Sequence, residues 1–345
     1  MAIDPEENLL AILDHEYRIH LLDATTQEPH SSAPHPILYV PEDPLVSETM
    51  WGDTIELLGP YLIGLFVMDW ESTRAAMVVW NWKTGQETLR HVIPTTRDIH
   101  HYRRRLVDFL SEDVFVICRP GLTDVDNKDA SVTPLGFLDI YQFDPRSTDS
   151  PPAKLINTLI LPPKQFRKTR HEDLYFSSSF LTFPGLRAQV WEQSLEDRLV
   201  CVTSERSLDC ENVCVSAGVL LDYARVVRNG PVSWDEWGAR AVWDRPDGLL
   251  ARCDNKIRTY GSYLAAMTFY NGCGVEVQVY KLGRVDSRTK LNLKSKLMIG
   301  PDPAVVNDLP SDIVENDPAV LGDRILINLD DENREILYLF GYSTT

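Results

Sequence analysis

Apolar residues along this chain fall in short runs separated by polar turns. Leu9–Leu13 is followed by Arg18–Asp23, and 61–68 is followed by 76–82 and the turn 83–86. The series continues through 136–143, 155–161, 218–223, 275–281, 324–329 and 335–340. Several runs alternate apolar and polar residues with period two, as half-buried strands do. Others are continuously apolar, as suits strands covered on both faces. The segment 218–223 reads as one more strand, and the pattern predicts almost no helix.

The runs come in pairs with a shared ending. A second strand closes on an aromatic residue or an Asp and then on a Thr/Gly-type turn, best seen at 19–27, 78–86 and 138–146. Asp23, Trp82 and Phe143 recur at intervals of 59 and 61 residues. Tidy propeller repeats run to about 40–50 residues, so these repeats carry insertions such as the polar loops 121–131 and 144–152. About two dozen strands at four per blade predict an all-β fold, a β-propeller of six or seven irregular blades. The alternative is a large β-sandwich, which this length would make oversized. No linker divides the chain, so 1–345 reads as one propeller domain, with the Pro- and Asp-rich 301–318 as an inter-blade loop. Leu9–Leu13 is expected to complete the last blade beside 335–340, which would remove an open sheet edge.

Composition narrows the class. With 345 residues and 43% hydrophobic content, the chain can bury a full core. A formal charge of −17 opposes the basic footprint that nucleic acid or an anionic membrane surface requires. No stretch reaches the roughly 20 apolar residues of a membrane helix, and the start is not a signal peptide. Cysteines stand at 118, 201, 210, 214, 253 and 273. Cys118 and Cys201 fall inside strand patterns, where a thiol packs as a small apolar group. No Asn-x-Ser/Thr acceptor occurs. These features predict an intracellular protein, in cytoplasm or nucleus, with reduced thiols.

The segment 232–240, Val-Ser-Trp-Asp-Glu-Trp-Gly-Ala-Arg, places Trp234 and Trp237 three apart, closed by Gly238. A Tyr- and Gly-rich strand, 258–264, follows. This pair resembles an element in the C-terminal halves of fungal, mushroom-type F-box proteins. The opening 4–10, then 18–21 and 27–30, the unit 79–85 and the closing 323–326 resemble the same group, so the likeness spans nearly the whole chain. The usual box has Pro after the Gly, where Ala239 stands here. The resemblance implies the substrate-recognition region of a ubiquitin-ligase adaptor. The helical F-box segment, which opens with a Leu-Pro pair, is not found in this sequence, so contact with the ligase adaptor is not expected of it.

The candidate partner-binding residues are Trp234 and Trp237 as an aromatic platform, and Arg103, Arg104, Arg105, Arg167 and Arg170 as anchors for an acidic partner. The bland reading of the indoles is packing between blades, with Asp235 and Glu236 facing out; that of the arginines is wet surface. Trp80 and Trp82 share a parity and read as core. Adjacent His100 and His101 diverge, and Cys210 with Cys214 lacks a second ligand pair, so no metal site is expected. Serine-hydrolase, P-loop, dinucleotide-binding, zinc-protease, sialidase and kelch signatures are absent. The expectation is therefore a monomeric, non-enzymatic propeller that captures an unidentified protein, with no cofactor, nucleic acid or membrane partner. The alternative is a propeller-type carbohydrate-binding or glycoside-active protein, which requires solvent-open indoles.

Overall fold

The computed structural model describes residues 2–4, 7–40, 54–67, 74–94, 106–121, 134–146, 153–163, 173–176, 198–206, 209–244, 256–260, 263–270, 274–285, 288–299, 313–315, 319–321, 324–331 and 334–341. These hold six four-stranded antiparallel sheets, each built from four consecutive strands. The first contains β1 (Ala2–Asp4), β2 (Leu9–Leu13), β3 (Arg18–Asp23) and β4 (Ile37–Tyr39). The second contains β5 (Thr54–Leu58), β6 (Tyr61–Val67), β7 (Arg74–Asn81) and β8 (Gln86–Pro94). The third contains β9 (Val107–Phe109), β10 (Val114–Pro120), β11 (Gly136–Gln142) and β12 (Lys154–Ile160). The fourth contains β13 (Asp173–Phe176), β14 (Leu199–Arg206), β15 (Asp209–Ser216) and β16 (Ala241–Asp244). The fifth contains β17 (Lys256–Tyr260), β18 (Tyr263–Tyr270), β19 (Gly274–Val285) and β20 (Arg288–Ile299). In the sixth, β21 (Ile313–Glu315) and β22 (Ala319–Leu321) share one edge of β23 (Arg324–Asp331), and β24 (Arg334–Gly341) pairs along the other. Two helices, α1 (Ala217–Ala224) and α2 (Trp234–Trp237), interrupt the fourth sheet between β15 and β16.

Sheets adjacent in sequence are adjacent in space. β1 touches β5, β9 touches β13, and β17 touches β22, so an edge strand of one sheet meets an edge strand of the next. Further out, β16 touches β20. Between the second and third sheets, His91 of β8 lies edge-on to Phe115 and Tyr141, with ring centroids 5.9 and 4.7 Å away. This is a β-propeller with six four-stranded blades among the described residues, not a pair of face-packed sheets.

One hydrogen bond repeats from blade to blade. The residue just after the third strand donates its N–H to the carbonyl just before the second. Ala24 donates to Asn8 (2.7 Å), Trp82 to Pro60 (3.0 Å), Phe143 to Asp113 (3.0 Å) and Ala217 to Arg198 (2.7 Å). The intervals read from Asp23, Trp82 and Phe143 therefore mark blade equivalents, with Ala24 as the true first member. The turn that follows repeats as well: Gln27 donates to the Asp23 carbonyl and Gly85 to the Asn81 carbonyl, each at 2.8 Å. Both turn residues have positive φ, 62° at Gln27 and 74° at Gly85. At Gly85 a Cβ would also come within 2.2 Å of His35 Cδ2, so glycine meets both demands there.

The core runs between blades. Trp80 and Trp82 are buried in a cluster joining the first and second blades, and Trp82 Nε1–H donates to the Gly59 carbonyl at 2.9 Å. A larger cluster runs through the second, third and fourth blades. Cys118 and Cys201 are buried in strands, as their sequence setting predicts. The third and fourth blades are also tied by charge. Arg198, ahead of β14, reaches Asp108 of β9 with Nη1 at 2.8 and 3.1 Å, and its Nη2 donates to the Phe109 carbonyl. Both side chains are buried.

Three expectations change. Segment 218–223 is helical, within α1, because Ser216 Oγ accepts from Val219 N–H at the N-cap and Ala217, Leu220 and Leu221 bury one face. Leu9–Leu13 does not complete the last blade. It pairs with β1 and β3, while Arg334–Gly341 pairs only with β23 among the described strands. Within 301–318 the short strand β21 forms, so that stretch is not loop throughout.

Candidate functional site

The fourth blade sends a wedge back onto the third. After β15 the chain turns into α1, which packs against β11, β12 and β15. It then runs along the outer edge of β12, where Val232 makes a parallel bridge to Leu159. Val232 N–H donates to the Thr158 carbonyl, and Ile160 N–H donates to the Val232 carbonyl, both at 2.8 Å. Backbone groups on an outer strand are otherwise a template for unwanted pairing, and the wedge occupies that edge.

The tryptophan box locks this contact. Trp237 is fully buried, and its Nε1–H donates to the Ile160 carbonyl at 2.8 Å. Trp234 stands edge-on to Trp237, with centroids 4.8 Å apart, and to Trp243 of β16 at 6.2 Å. Trp243 Nε1–H donates to Glu211 Oε2 at 3.0 Å. Gly238 closes the box because a Cβ there would lie 2.4 Å from the Trp234 ring. Asp235 and Glu236 face solvent. Trp237 therefore packs between the third and fourth blades, with Trp234 half-buried edge-on against it.

Asn157, buried on β12, holds the other end of the wedge. Its amide donates to the Tyr223 carbonyl, an orphan of the last turn of α1, and to the Val226 carbonyl at 2.6 Å. Its Oδ1 accepts from Arg228 N–H at 3.3 Å. Within this clamp the chain displays Val226 and Val227, 55% and 63% exposed. Leu155, two residues from Asn157 along β12, is 48% exposed. Charged residues flank the two valines in sequence: Arg225 pairs with Asp222 at 3.4 Å and Arg228 with Glu236 at 2.9 Å. Sequence reasoning passed over this patch. In the sequence Leu155 belongs to a strand pattern, and Val226 and Val227 stand between patterned segments.

Of the sequence candidates, Arg103, Arg104, Arg105, Arg167 and Arg170 lie outside the described residues, as do His100 and His101. The structure thus locates Trp234 and Trp237 alone of the predicted set. Among the described residues no group of three or more His, Cys, Asp or Glu side chains converges on a metal position. No described helix is long and apolar enough to cross a membrane.

Two further polar clusters stand on the first and third blades. At the β2–β3 turn, Asp14 accepts from Arg18 Nε at 2.8 Å and meets His20 Nε2 at 2.7 Å. The His20 contact, followed by bonds from Arg18 and Glu16, holds the Asp14 carboxyl well below the usual carboxylate range, against the cost of desolvation. On the third blade an open depression of about 420 Å³ is lined by Asp113, Gln142, Phe143, Asp144, Pro145 and Lys154. Asp113 there is already engaged by Ser111 Oγ at 2.8 Å and Gln142 Nε2 at 3.0 Å.

No protein-family model and no curated protein sequence matches the chain. Among solved structures it is similar to the β-propeller domain of the Trilobed protease from Pyrococcus furiosus. That match has 10% identity and a TM-score of 0.44 over 99% of this chain and 80% of that one. It is also similar to a chain from a structural study of two prolyl endopeptidases, at 9% identity and a TM-score of 0.42, over 97% of this chain and 42% of that one. The expectation of a non-enzymatic protein does not stand beside this comparison, in which the two similar chains named come from structures of peptidases; a likeness at this identity bears on the fold alone and assigns no reaction to this chain. A propeller is a scaffold that does not itself decide for or against catalysis, and missing motifs bear only on the reaction classes that use them.

Proposed function

We propose that this chain is a protein-capture propeller, of the kind that the resemblance to the substrate-recognition regions of F-box proteins implies. Its capture surface is the outer face of the wedge. The observation that carries this reading is the exposure of two adjacent aliphatic residues, Val226 and Val227, on a backbone clamped at both ends. Exposed aliphatic residues are ordinary when scattered. Side by side on a rigid mount, with charged residues flanking them in sequence, these two suit a partner that covers the apolar centre and is oriented by the charges. Rigidity matters because ordering a mobile loop on binding would cost part of the affinity. The reading concerns binding and is independent of any catalysis.

The carbohydrate alternative needs indole faces open to a sugar, and the burial of Trp237 with the edge-packing of Trp234 removes that support. The test is affinity capture from native cells with the tagged chain and with a Val226→Asp/Val227→Asp variant. Surface substitutions of this kind change stability by only about 0.5 kcal/mol, so Tm should hold. Recovery of specific protein partners should fall at least about tenfold, the loss of one binding hot spot. Equal recovery by the two forms, or no specific partner for the parent chain, contradicts the reading.

A further inference from the structure

The hairpin of β14 and β15 carries a pair of thiols that its topology places face to face. Cys201 and Cys214 are direct partners in the antiparallel register. Their sulfur atoms lie 3.1 Å apart, and both residues are fully buried. They sit on the side of the fourth blade that faces the fifth, packed with Leu199, Leu264 and Tyr280. Directly opposed residues in an antiparallel pair bring their Cβ atoms to about 4.5–5.5 Å. A disulfide needs about 3.5–4.5 Å, so closing the bond takes a small adjustment of two strands already in register. The next pair on the same face is polar: Thr203 Oγ1 donates to Asn212 Oδ1 at 2.9 Å. The fully buried Asn212 amide nitrogen has no hydrogen-bond partner among the described residues. This seam between blades is therefore less completely satisfied than an apolar core, and such a place favours local opening.

We propose that Cys201 and Cys214 form a redox pair, closed to a cross-strand disulfide by a peroxide that reaches them when the seam between the fourth and fifth blades opens. One thiol, as its thiolate, attacks a peroxide oxygen; the O–O bond breaks, the hydroxide that leaves takes up the proton the thiol gave up and becomes water, and a sulfenic acid forms. The second thiol then attacks that sulfur; the S–S bond forms and a second water leaves. In sum, two thiols and one hydrogen peroxide give one disulfide and two waters, the sulfurs being oxidised by two electrons and the peroxide reduced by two. The closed form staples β14 to β15, the strand after which the wedge departs. A dithiol reductant restores the thiols.

The experiment treats the purified chain with hydrogen peroxide, alkylates under denaturing conditions and maps the peptides by mass spectrometry. The expected result is a cross-linked peptide pair joining positions 201 and 214, lighter by two hydrogen masses. Iodoacetamide labelling should be lost at both positions and return after dithiothreitol. Cys210→Ser should leave the cross-link intact. Cys201→Ser should abolish it and leave Cys214 as a sulfenic acid that a dimedone probe traps. Full alkylation of both cysteines after peroxide, a bond from Cys214 to Cys210, or overoxidation of either sulfur without a cross-link each overturns the proposal. The parent chain supplies these outcomes even if a serine variant fails to fold.

Discussion

Trp237→Ala should destabilise the protein by about 4 kcal/mol, the upper part of what a buried large-to-small change costs. Two losses combine in it. The indole is fully buried between the third and fourth blades, so its removal leaves a cavity that neighbouring side chains fill only in part. The Ile160 carbonyl also loses its 2.8 Å donor on an outer strand. Trp237→Phe separates the two: it keeps most of the volume and forfeits the donor, and should cost about 1–2 kcal/mol. Domains carry only about 5–15 kcal/mol in total, so chemical denaturation should show a clearly lower midpoint for Trp237→Ala and a small shift for Trp237→Phe. Equal shifts would mean that the ring does not pack as described.

Removing one partner of the buried ion pair should have an effect of similar size. Asp108→Ala leaves the Arg198 guanidinium in the core with the Phe109 carbonyl as its remaining acceptor in this cluster, and stranding a buried charge costs about 3–5 kcal/mol. The double variant Asp108→Leu/Arg198→Met removes both charges and keeps the volume. Apolar replacements of a complete buried pair are commonly neutral, so the double variant should recover most of the stability lost in the single one. Denaturant midpoints for the parent, both single variants and the double variant give the coupling directly. Additive losses would show that the pair is not coupled.

The strand pattern, the blade period and the aromatic turn were open to reading because each is local. A third strand followed by a tight turn needs a fixed ending, and that ending survives at 23–27 and 81–85 even where the connecting loops vary. Trp80 and Trp82 were legible as core from parity. The helix α1 was misread because a short Leu- and Val-rich run suits either element. The helical signal was present in the spacing of Ala217, Leu220, Leu221 and Ala224 behind Ser216, a pattern that a shorter window cuts off. The partner of Leu9–Leu13 went the other way: the local hairpins with β1 and β3 close far shorter loops than a pairing across the whole chain. Arg198 and Asp108 could not have been matched by sequence, because 51 acidic residues offer too many partners. The same holds for Asn157 and the wedge it grips. The box of Trp234 and Trp237 was conspicuous for its cost in water, and Trp237 meets that cost by burial between blades.

Amide hydrogen exchange across 231–238 and 154–161 tests most directly whether the tryptophan box is an inter-blade clamp. The geometry predicts that Val232 and Ile160 exchange as slowly as the paired amides of β14 and β15, and that both segments lose this protection together in Trp237→Ala. Rapid exchange at Val232 in the parent chain, with β14 and β15 still protected, would show a free loop where the clamp is described.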